Sequence, residues 1–384
     1  MAYVATRGGE QAIEQAERLF RAELGTIDAA RVATIEAALP WLVDRLMGEA
    51  SLYARDLAGL ALAQAGGELY EALLLLRAWR TTQPRLAVAE PVKLADTFAH
   101  RRVSAAFKDL PGGQVLGPTL DYSHRLLATE VLEGAAFSPP AVTPADIPAP
   151  ARLVALTDWQ KAQGLIDTPA PIPVAPDDIP DLTREPLMFP AKRAHRLQSL
   201  ARADTGGTLA LGYSAQRGYG AAHPTVNELR LAEADLRVRH PRGTVFSAGR
   251  VRVSSCEMIA KTVNAETKAE HLSLGFAATL GWNEVKVVAA STLDLNARPD
   301  GDRPASNEEF FLYHTEPVEA SGFNIHLKLP HYVTFQSALD ALRGITRGSG
   351  QARSPDDVMH EAEARTAAAA AAAVSAHPEP EPVK

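Results

Sequence analysis

The sequence contains very little cysteine, no long apolar run and no excess of positive charge. Cys256 is the single cysteine among 384 residues, so the chain can form no internal disulfide and cannot alone supply a cysteine-rich zinc site or an iron–sulfur cluster. No window approaches the roughly 18 consecutive apolar residues of a membrane-spanning helix. The net charge of −7 argues against a large basic surface for nucleic acid but leaves room for a local phosphate pocket.

The start of the chain shows a further absence, because residues 1–10 have no basic stretch followed by an apolar segment. We therefore expect no signal peptide and a cytoplasmic protein. Hydrophobic residues make up 46% of the chain and charged residues 22%, which is enough to bury a core. The length suggests two domains, or one large domain with insertions.

Periodicity predicts an α+β fold, with helices first and a largely antiparallel sheet later. Gly66 and Gly67 separate two helical patterns, which we expect to form an antiparallel pair. Prolines crowd the middle of the chain and predict extended connections around a short helix at 153–164. The predicted division is a helical N-terminal domain (1–133), a proline-rich joining region (134–190), an α+β domain (191–347) and a disordered tail (348–384).

Short, partly alternating segments in the second half predict strands at 208–215, 229–239, 245–254, 272–280 and 309–314. Helices are expected at 283–293, with Asn283 as the N-cap, and at 335–345. Cys256 is expected to be a small buried side chain rather than a nucleophile. The alanine run at 367–373 favours helix locally, but the closing prolines favour a solvated, extended tail.

The segment 107–119 is rich in glycine and proline and is the first candidate site. The backbone amides of Gly112 and Gly113 can approach an anion closely, and Lys108 and Asp109 flank them. The spacing matches neither a P-loop nor the dinucleotide fingerprint. A plain turn explains the same residues equally well.

Asp121 and His124 follow, three residues apart, as one helical turn would place them. A carboxylate in that position can orient the imidazole or select its tautomer. Arg125, the next residue, carries a guanidinium suited to phosphate. The alternative is a capped helix that carries polar residues on its surface.

A second glycine-rich loop, 213–224, follows a predicted strand. Arg217 offers a planar fork for phosphate, and Tyr213 or Tyr219 can stack on a base. Gln216 completes the candidate substrate-binding set. Loops at strand ends often carry function, although a structural hairpin is the alternative here.

His326 and His331 are five residues apart, so a regular helix or strand would point them in different directions. An irregular turn at Pro330 can bring them together, and imidazole is a common metal ligand. A catalytic zinc usually has three protein ligands. The third would therefore come from another chain or from one of three further histidines: His124, His223 and His314.

Five stretches, taken in order, resemble the PhnI family, the I subunit of the bacterial carbon–phosphorus lyase core complex: 8–13, 76–82, 107–127, 213–224 and 326–332. The likeness covers roughly residues 1–345. It implies a part in phosphonate breakdown, in which the family with its companion subunits displaces adenine from ATP by an alkylphosphonate. The product is α-D-ribose 1-methylphosphonate 5-triphosphate. Alone, the family subunit resembles a nucleosidase that acts on ATP or GTP.

The resemblance also implies partners and a metal. The family works in a cytoplasmic assembly with the G, H and J subunits, two copies of each, and with the K and L ATP-binding proteins. The J subunit carries the iron–sulfur cluster, which fits a chain with one cysteine. His326 and His331 match the family's paired histidines, which bind zinc at the interface with the J subunit.

Displacement at the ribose anomeric carbon passes through an oxocarbenium-like state, which calls for a carboxylate, an acid for the purine and cations for the triphosphate. The candidates are His124 for the acid and Asp109 or Asp121 for the carboxylate, with Glu257 in reserve. Phosphate is assigned to Lys108, Arg125, Arg217 and the backbone of Gly112 and Gly113. Two other hypotheses stay open, a scaffold with sites only at subunit interfaces and a free-standing metal hydrolase.

Overall fold

A computed structural model of the chain describes residues 9–138, 140–143, 150–166, 179–220, 222–263, 268, 270–329, 331–348 and 355–375. The contacts divide these residues into two compact units, one within 16–324 and one that combines residues of 1–15 and 325–384. The predicted α+β class is confirmed, since helices come first and a five-stranded antiparallel sheet follows.

The first part of the chain is helical, with apolar side chains recurring every three or four residues. Its helices are α1 (Gly9–Leu24), α2 (Ala29–Ala38), α3 (Pro40–Ala50), α4 (Arg55–Gln64) and α5 (Leu69–Thr81). The buried core of this region is built mainly from α3, α4 and α5, with Leu46, Ala58 and Leu73 at its centre. Gly66 and Gly67 both have positive φ and join α4 to α5, so this predicted helical pair is confirmed.

The sheet has the strand order β2-β1-β3-β4-β5, and all neighbours are antiparallel. Its strands are β1 (Phe98–Val103), β2 (Ala151–Arg152), β3 (Thr225–Arg239), β4 (Val245–Val263) and β5 (Glu270–Leu280). The strands predicted at 229–239, 245–254 and 272–280 are therefore confirmed, and β4 is longer than expected. β1 was not predicted, and it pairs with β3 from Phe98↔Glu233 to Val103↔Leu229.

The remaining helices are α6 (Leu156–Ala162), α7 (Arg193–Ala201), α8 (Thr205–Ser214), α9 (Glu284–Asn296), α10 (Glu308–His314), α11 (Pro317–His326), α12 (Tyr332–Gly348) and α13 (Pro355–Ser375). Helix α9 packs on β4 and β5. The predicted N-cap is confirmed, because the Asn283 side chain accepts a hydrogen bond from the backbone N of Lys286 at 3.1 Å. The helices expected within 153–164 and 335–345 are confirmed as α6 and α12.

Two predicted strands are wrong, because both segments form helices that begin at a side-chain cap. Residues 208–215 lie mostly in α8, where Asp204 accepts from the backbone N of Gly207. Residues 309–314 lie in α10, where Asn307 accepts from the backbone N of Phe310 at 2.7 Å. A cap satisfies an amide that the first helical turn leaves unpaired, and this local bond outweighs the strand preference of the residues that follow.

The C-terminal tail differs from expectation over residues 355–375, which form α13. Alanine has the highest helix propensity of all residues, so the run at 367–373 continues the helix. Most of the prolines that defined the joining region lie outside the described residues, among them Pro139, Pro144, Pro148 and those at 169–176. The domain boundaries at 133, 190 and 347 stay predictions. No helix among the described residues is long and apolar enough to cross a membrane.

Candidate functional site

The first candidate segment, 107–119, and the residues 121–125 that follow it are anchored to β1 by two neighbouring buried arginines. Arg102 donates from Nη1 to the backbone oxygens of Pro111 at 2.6 Å and Gly113 at 3.1 Å. The backbone N of Gly113 donates to the oxygen of Leu110 at 2.9 Å. Because this amide is already paired, the geometry favours a plain turn around a guanidinium over an anion cradle at Gly113. The anion-binding role of Gly112 stays a prediction.

Arg101 holds the second part of the segment and brings two carboxylates together. Its Nη2 donates to Oδ2 of Asp121 at 2.5 Å, and its Nε donates to Glu284 at the start of α9. The Arg101 side chain is 3% exposed, whereas that of Asp121 is 50% exposed. Arg125 also approaches Asp121, with Nη2 and Oδ1 3.9 Å apart. The result is a surface carboxylate fixed in place by a buried cation.

Glu284 is a candidate that the sequence analysis missed. Burial raises the pKa of its carboxyl, the charge of Asp121 raises it further, and Arg101 opposes both effects. A carboxyl with a raised pKa beside a second carboxyl is an arrangement suited to acid–base work. The available signal was an acidic residue directly after the N-cap Asn283, which we interpreted only as a helix start.

The remaining residues of this segment do not form the arrangement that we expected. Residues 121–124 form a turn rather than a helix, and Lys108, Asp109 and His124 are exposed. Among the described residues, no hydrogen bond or ion pair joins Asp121 to His124. The expectation that Asp121 orients this imidazole is corrected, because the carboxylate is held by Arg101 instead.

The second candidate loop is a helix end, not a hairpin between strands. Helix α8 runs into a π-helical turn, Ala215–Tyr219, which contains Gln216 and ends near Gly218 with a φ of +96°. The guanidinium of Arg217 lies over the ring of Tyr213 at 5.9 Å, and both Arg217 and Tyr219 are exposed. A cavity of about 380 Å³ lies beside this turn, lined by residues that include Gly220, Arg298, Asp300 and Arg303.

The two candidate loops lie at the same end of β3. The backbone N atoms of Ala105 and Ala106 donate to the oxygen of Val226 at 3.0 and 3.1 Å, just after β3 begins. Within the described part of the chain, however, no hydrogen bond or ion pair links 108–125 to Gln216, Arg217 or Tyr219. The structure therefore places the loops near one sheet end without joining them into one constellation.

His326 and His331 lie close together at the end of α11 and just before α12. Their ring centroids are 5.4 Å apart, and both residues are half-buried. The Nδ1 of His331 lies 2.5 Å from the backbone oxygen of Leu329. A carbonyl oxygen can only accept, so this Nδ1 is the donor, and in the neutral imidazole the lone pair lies on Nε2.

Within the described ranges, no side chain completes this histidine pair as a third ligand. No group of three or more histidine, cysteine, aspartate or glutamate side chains that could hold a metal occurs among the residues that the structure describes. Those residues therefore offer no support for His124, His223 or His314 as the third ligand.

The reserve carboxylate, Glu257, lies in the interior. It is 5% exposed, and the Nδ2 of Asn227 donates to its Oε2 at 3.0 Å. Burial is the main cause that raises the pKa of this carboxyl. Cys256 beside it is fully buried, and burial raises the pKa of its thiol to about 12, so the predicted packing role is confirmed. Neither side chain faces an approaching substrate.

Lys286 on α9 is a second residue that sequence reasoning missed. Its side chain is buried, and its Nζ has no hydrogen-bond partner among the described residues. Burial lowers its pKa to about 8, with Glu49 and Asp204 opposing that shift and Arg77 and Arg45 adding to it. Nothing in the sequence pattern separates this lysine from those on helix surfaces.

Comparison with known proteins gives the same family over nearly the whole chain. The family model described as bacterial phosphonate metabolism protein (PhnI) matches residues 2–349. The chain is 41% identical over 373 residues to the Alpha-D-ribose 1-methylphosphonate 5-triphosphate synthase subunit PhnI of Rhizobium meliloti (strain 1021), covering 94% of this chain and 100% of that protein.

Two further relatives agree. The protein of the same name from Escherichia coli (strain K12) is 42% identical over 353 residues, covering 89% of this chain and 97% of that one. The putative C-P lyase subunit protein HtxH of Stutzerimonas stutzeri is 38% identical over 361 residues, covering 89% and 95%. The chain therefore belongs to the PhnI family of bacterial phosphonate metabolism proteins.

Proposed function

We propose that this chain, together with companion subunits, displaces adenine from ATP by an alkylphosphonate to give ribose 1-alkylphosphonate 5-triphosphate. The observation that carries the proposal is the identity of 41–42%, over nearly full length, to two subunits named for the synthesis of the methyl compound. A ribose with a triphosphate on carbon 5 is obtained most directly from a nucleoside triphosphate, by exchange of the base at carbon 1.

The bond changes follow from the product's name. A phosphonate oxygen forms a bond to carbon 1 of the ribose, the bond from that carbon to the purine nitrogen breaks, and the purine leaves with a proton. Nucleotides carry the base on the β face, and the named product is α, so attack comes from the face opposite the base. A single displacement with inversion accounts for this outcome. In the absence of a phosphonate, water attacks instead, which is the nucleosidase reaction expected of the isolated chain.

Asp121 is the carboxylate that the structure equips best for this chemistry. Arg101 fixes its Oδ2 at 2.5 Å while half of the side chain remains exposed, so it can face a developing positive charge. Glu284, with its raised pKa, joins His124 as a candidate acid for the purine. Asp109, Lys108, Arg125, Gln216, Arg217 and Tyr219 keep their proposed contacts to substrate.

We test this assignment by measuring adenine release from ATP by the complex assembled with Asp121→Asn, Asp109→Asn or wild-type chain. Loss of a carboxylate that acts only in the transition state lowers kcat and leaves KM nearly unchanged. Asp340→Asn, an exposed carboxylate pairing with Arg343, is the matched control and is expected to behave as wild type. Full activity of both Asp121→Asn and Asp109→Asn would falsify the assignment.

His326 and His331 fit a zinc ion shared with a partner, which we propose to be the J subunit. Two imidazoles on one tetrahedral ion have centroids about 5 Å apart, close to the observed 5.4 Å, and the bond from Nδ1 of His331 to Leu329 leaves Nε2 as its ligand atom. Bound zinc would act as a Lewis acid toward a ribose phosphate. The chain's own contribution is to hold two neutral imidazoles in position, with the backbone of Leu329 selecting the tautomer.

Zinc content measured on the purified complex checks this proposal. His326→Ala and His331→Ala are expected to remove most of the metal, and the exposed His240→Ala is the control that should retain it. Zinc retained by both variants of the pair would place the metal elsewhere. The isolated chain should hold zinc poorly, because two ligands do not complete a site.

A scaffold role is the second candidate, favoured by apolar side chains in the segment 116–137. Leu126, Leu127 and Leu132 are 84%, 87% and 89% exposed, and Phe137 is 74% exposed. Such an exposed run is typical of an interface. We propose the G, H and J subunits, with the K and L ATP-binding proteins, as its partners. Adenine release by the isolated chain distinguishes the two, since a scaffold stays silent until partners are added.

A further inference from the structure

A cleft rich in arginine lies between the end of α5 and the loop that precedes α7. Its volume is about 390 Å³, and its wall includes Arg80, Arg85, Arg184, Thr81, Thr183 and Gln83. Among the described residues, no carboxylate lines it. We call these residues the arginine cleft.

Asp181 orients two of these arginines from behind. Its Oδ2 accepts from Arg85 at 2.7 Å and lies 3.7 Å from Nε of Arg184. Its Oδ1 accepts from the backbone N of Thr183 at 2.9 Å and from Oγ1 at 2.7 Å. Although burial raises the pKa of Asp181, bonds from Thr183 and Arg85 bring it well below the usual range, so the carboxylate stays ionised. Three arginines lie near the carboxylates of Asp181 and of Glu185, which accepts from the backbone N of Asp181 at 2.7 Å, so the balance is still positive.

Arg80 supplies the third cation of the arginine cleft. It lies half-buried in the last turn of α5, and no hydrogen bond or ion pair to its guanidinium occurs in the described residues. Burial and then the charge of Arg85 lower its pKa, the charge of Asp181 opposes them, and the charge of Arg77 adds to the lowering. Crowded cations repel one another, and removing them from water costs free energy that the charge of Asp181 offsets only in part. A bound anion would offset both.

The C-terminus of α5 repels an anion less strongly than a helix C-terminus with unpaired carbonyl groups would. The backbone oxygen of Trp79 accepts from the N and Oγ1 of Thr82, at 3.0 and 2.7 Å. The oxygen of Ala78 accepts from Oγ1 of Thr81 at 2.7 Å. These bonds occupy carbonyls that would otherwise present negative charge at a helix C-terminus.

We propose that the arginine cleft binds the triphosphate chain of the nucleotide substrate. Planar guanidiniums match phosphate oxygens in pairs, and Arg85 and Arg184 are held in place before the ligand arrives. The identity of the nucleotide rests on the proposed function, but binding of an oligophosphate does not. Lys108, Arg125 and Arg217 are exposed and are not arranged together around one cavity. The arginine cleft therefore replaces them as the proposed site of the triphosphate, and their proposed contacts are left to other parts of the substrates.

Titration calorimetry of the full chain with inorganic tripolyphosphate tests the proposal. We expect wild type to bind it, with an affinity that falls as salt is added, and Arg80→Gln and Arg85→Gln to bind at least about tenfold more weakly. Arg184→Gln, at a side chain 64% exposed and hence safe for folding, should also weaken binding. Arg239→Gln is the control, since this exposed arginine pairs with Glu90 on another part of the surface. Wild-type affinity in all three cleft variants would overturn the proposal.

A second measurement separates this inference from the proposed function. In the complex, Arg80→Gln is expected to raise the KM for ATP in adenine release, and Arg80→Lys, which keeps the charge, to raise it less. Tripolyphosphate bound at the cleft with no adenine release by wild type would refute the reaction and leave the cleft intact. Normal release with an unchanged KM in Arg80→Gln would refute the cleft and leave the reaction intact.

Discussion

Arginines inside the sheet and arginines in the arginine cleft differ in whether their guanidinium donors are used by the protein itself. Arg230 and Arg102 are 1% and 0% exposed in their side chains, and both bind Glu228 and backbone oxygens. Arg80 is half-buried and binds no acceptor in the described chain. A guanidinium whose donors are all used holds elements of the fold together, whereas one with unused donors at a cleft is available to a ligand.

Removing a buried guanidinium should have the largest effect on stability. Arg230→Met leaves Glu228 with one arginine fewer and frees the oxygens of Leu94 and Leu153. We expect the free energy of unfolding in urea to fall by about 3–5 kcal/mol. The exposed Arg250→Met is the control, with a change within about 0.5 kcal/mol. Equal losses in the two variants would remove the distinction between paired and unpaired arginines.

Gly117 lies in the backbone that packs against the buried Arg101, so a substitution there tests how tightly the surroundings of a paired arginine are packed. It has a φ of +56°, and an added Cβ would lie 2.2 Å from the oxygen of His100. Gly117→Ala is therefore expected to lower the free energy of unfolding by about 2 kcal/mol. Gly113→Ala shares the positive φ but meets nothing within 4 Å, so it should cost about half as much. A smaller loss at Gly117 than at Gly113 would contradict the close packing.

Lys286 represents the intermediate case, a cation that is buried and has no hydrogen-bond partner in the part of the chain that the structure describes. Its pKa is about 8 in the folded chain and 10.5 unfolded, so between these values the unfolded state binds more protons and stability rises with pH. From pH 8 to 9.5 the contribution of Lys286 to the free energy of unfolding should grow by about 1.5 kcal/mol. Urea unfolding of wild type and Lys286→Met across this range measures it, and a constant difference between the two would contradict the lowered pKa.

The smallest stability effect is expected in the arginine cleft itself. Arg80→Gln removes a cation that burial and its neighbours already disfavour, so the free energy of unfolding should change by no more than about 0.5 kcal/mol. Thermal or urea unfolding without ligand checks this. A loss as large as that of Arg230→Met would mean that Arg80 is a structural residue after all.

The parts of the fold that the sequence predicted are those whose signal is local. The helical pair at Gly66 and Gly67 and the N-cap Asn283 needed only turn chemistry and periodicity. Helices α8 and α10 were missed because their caps, Asp204 and Asn307, were not weighed against strand propensity. β1 escaped because its pairing with β3 joins residues far apart in sequence.

The candidate site residues stay predictions, and the contacts that the structure gives them could not be read from the sequence. Asp121 was named from its spacing to His124, yet its partner is Arg101 and, through it, Glu284. Arg80 lies in a stretch that carried the family resemblance, but only the fold places it beside Arg85 and Arg184. Burial and contacts between charges far apart in sequence determine both the partner of Asp121 and the surroundings of Arg80. The spacing of residues along the chain reveals neither.

The most direct test of the central claim is an analysis of products from the assembled complex given ATP and methylphosphonate. Phosphorus nuclear magnetic resonance and chromatography should find adenine and α-D-ribose 1-methylphosphonate 5-triphosphate in equal amounts. Adenine accompanied only by ribose 5-triphosphate, or a product with the β configuration, would contradict displacement of the purine by phosphonate from the opposite face.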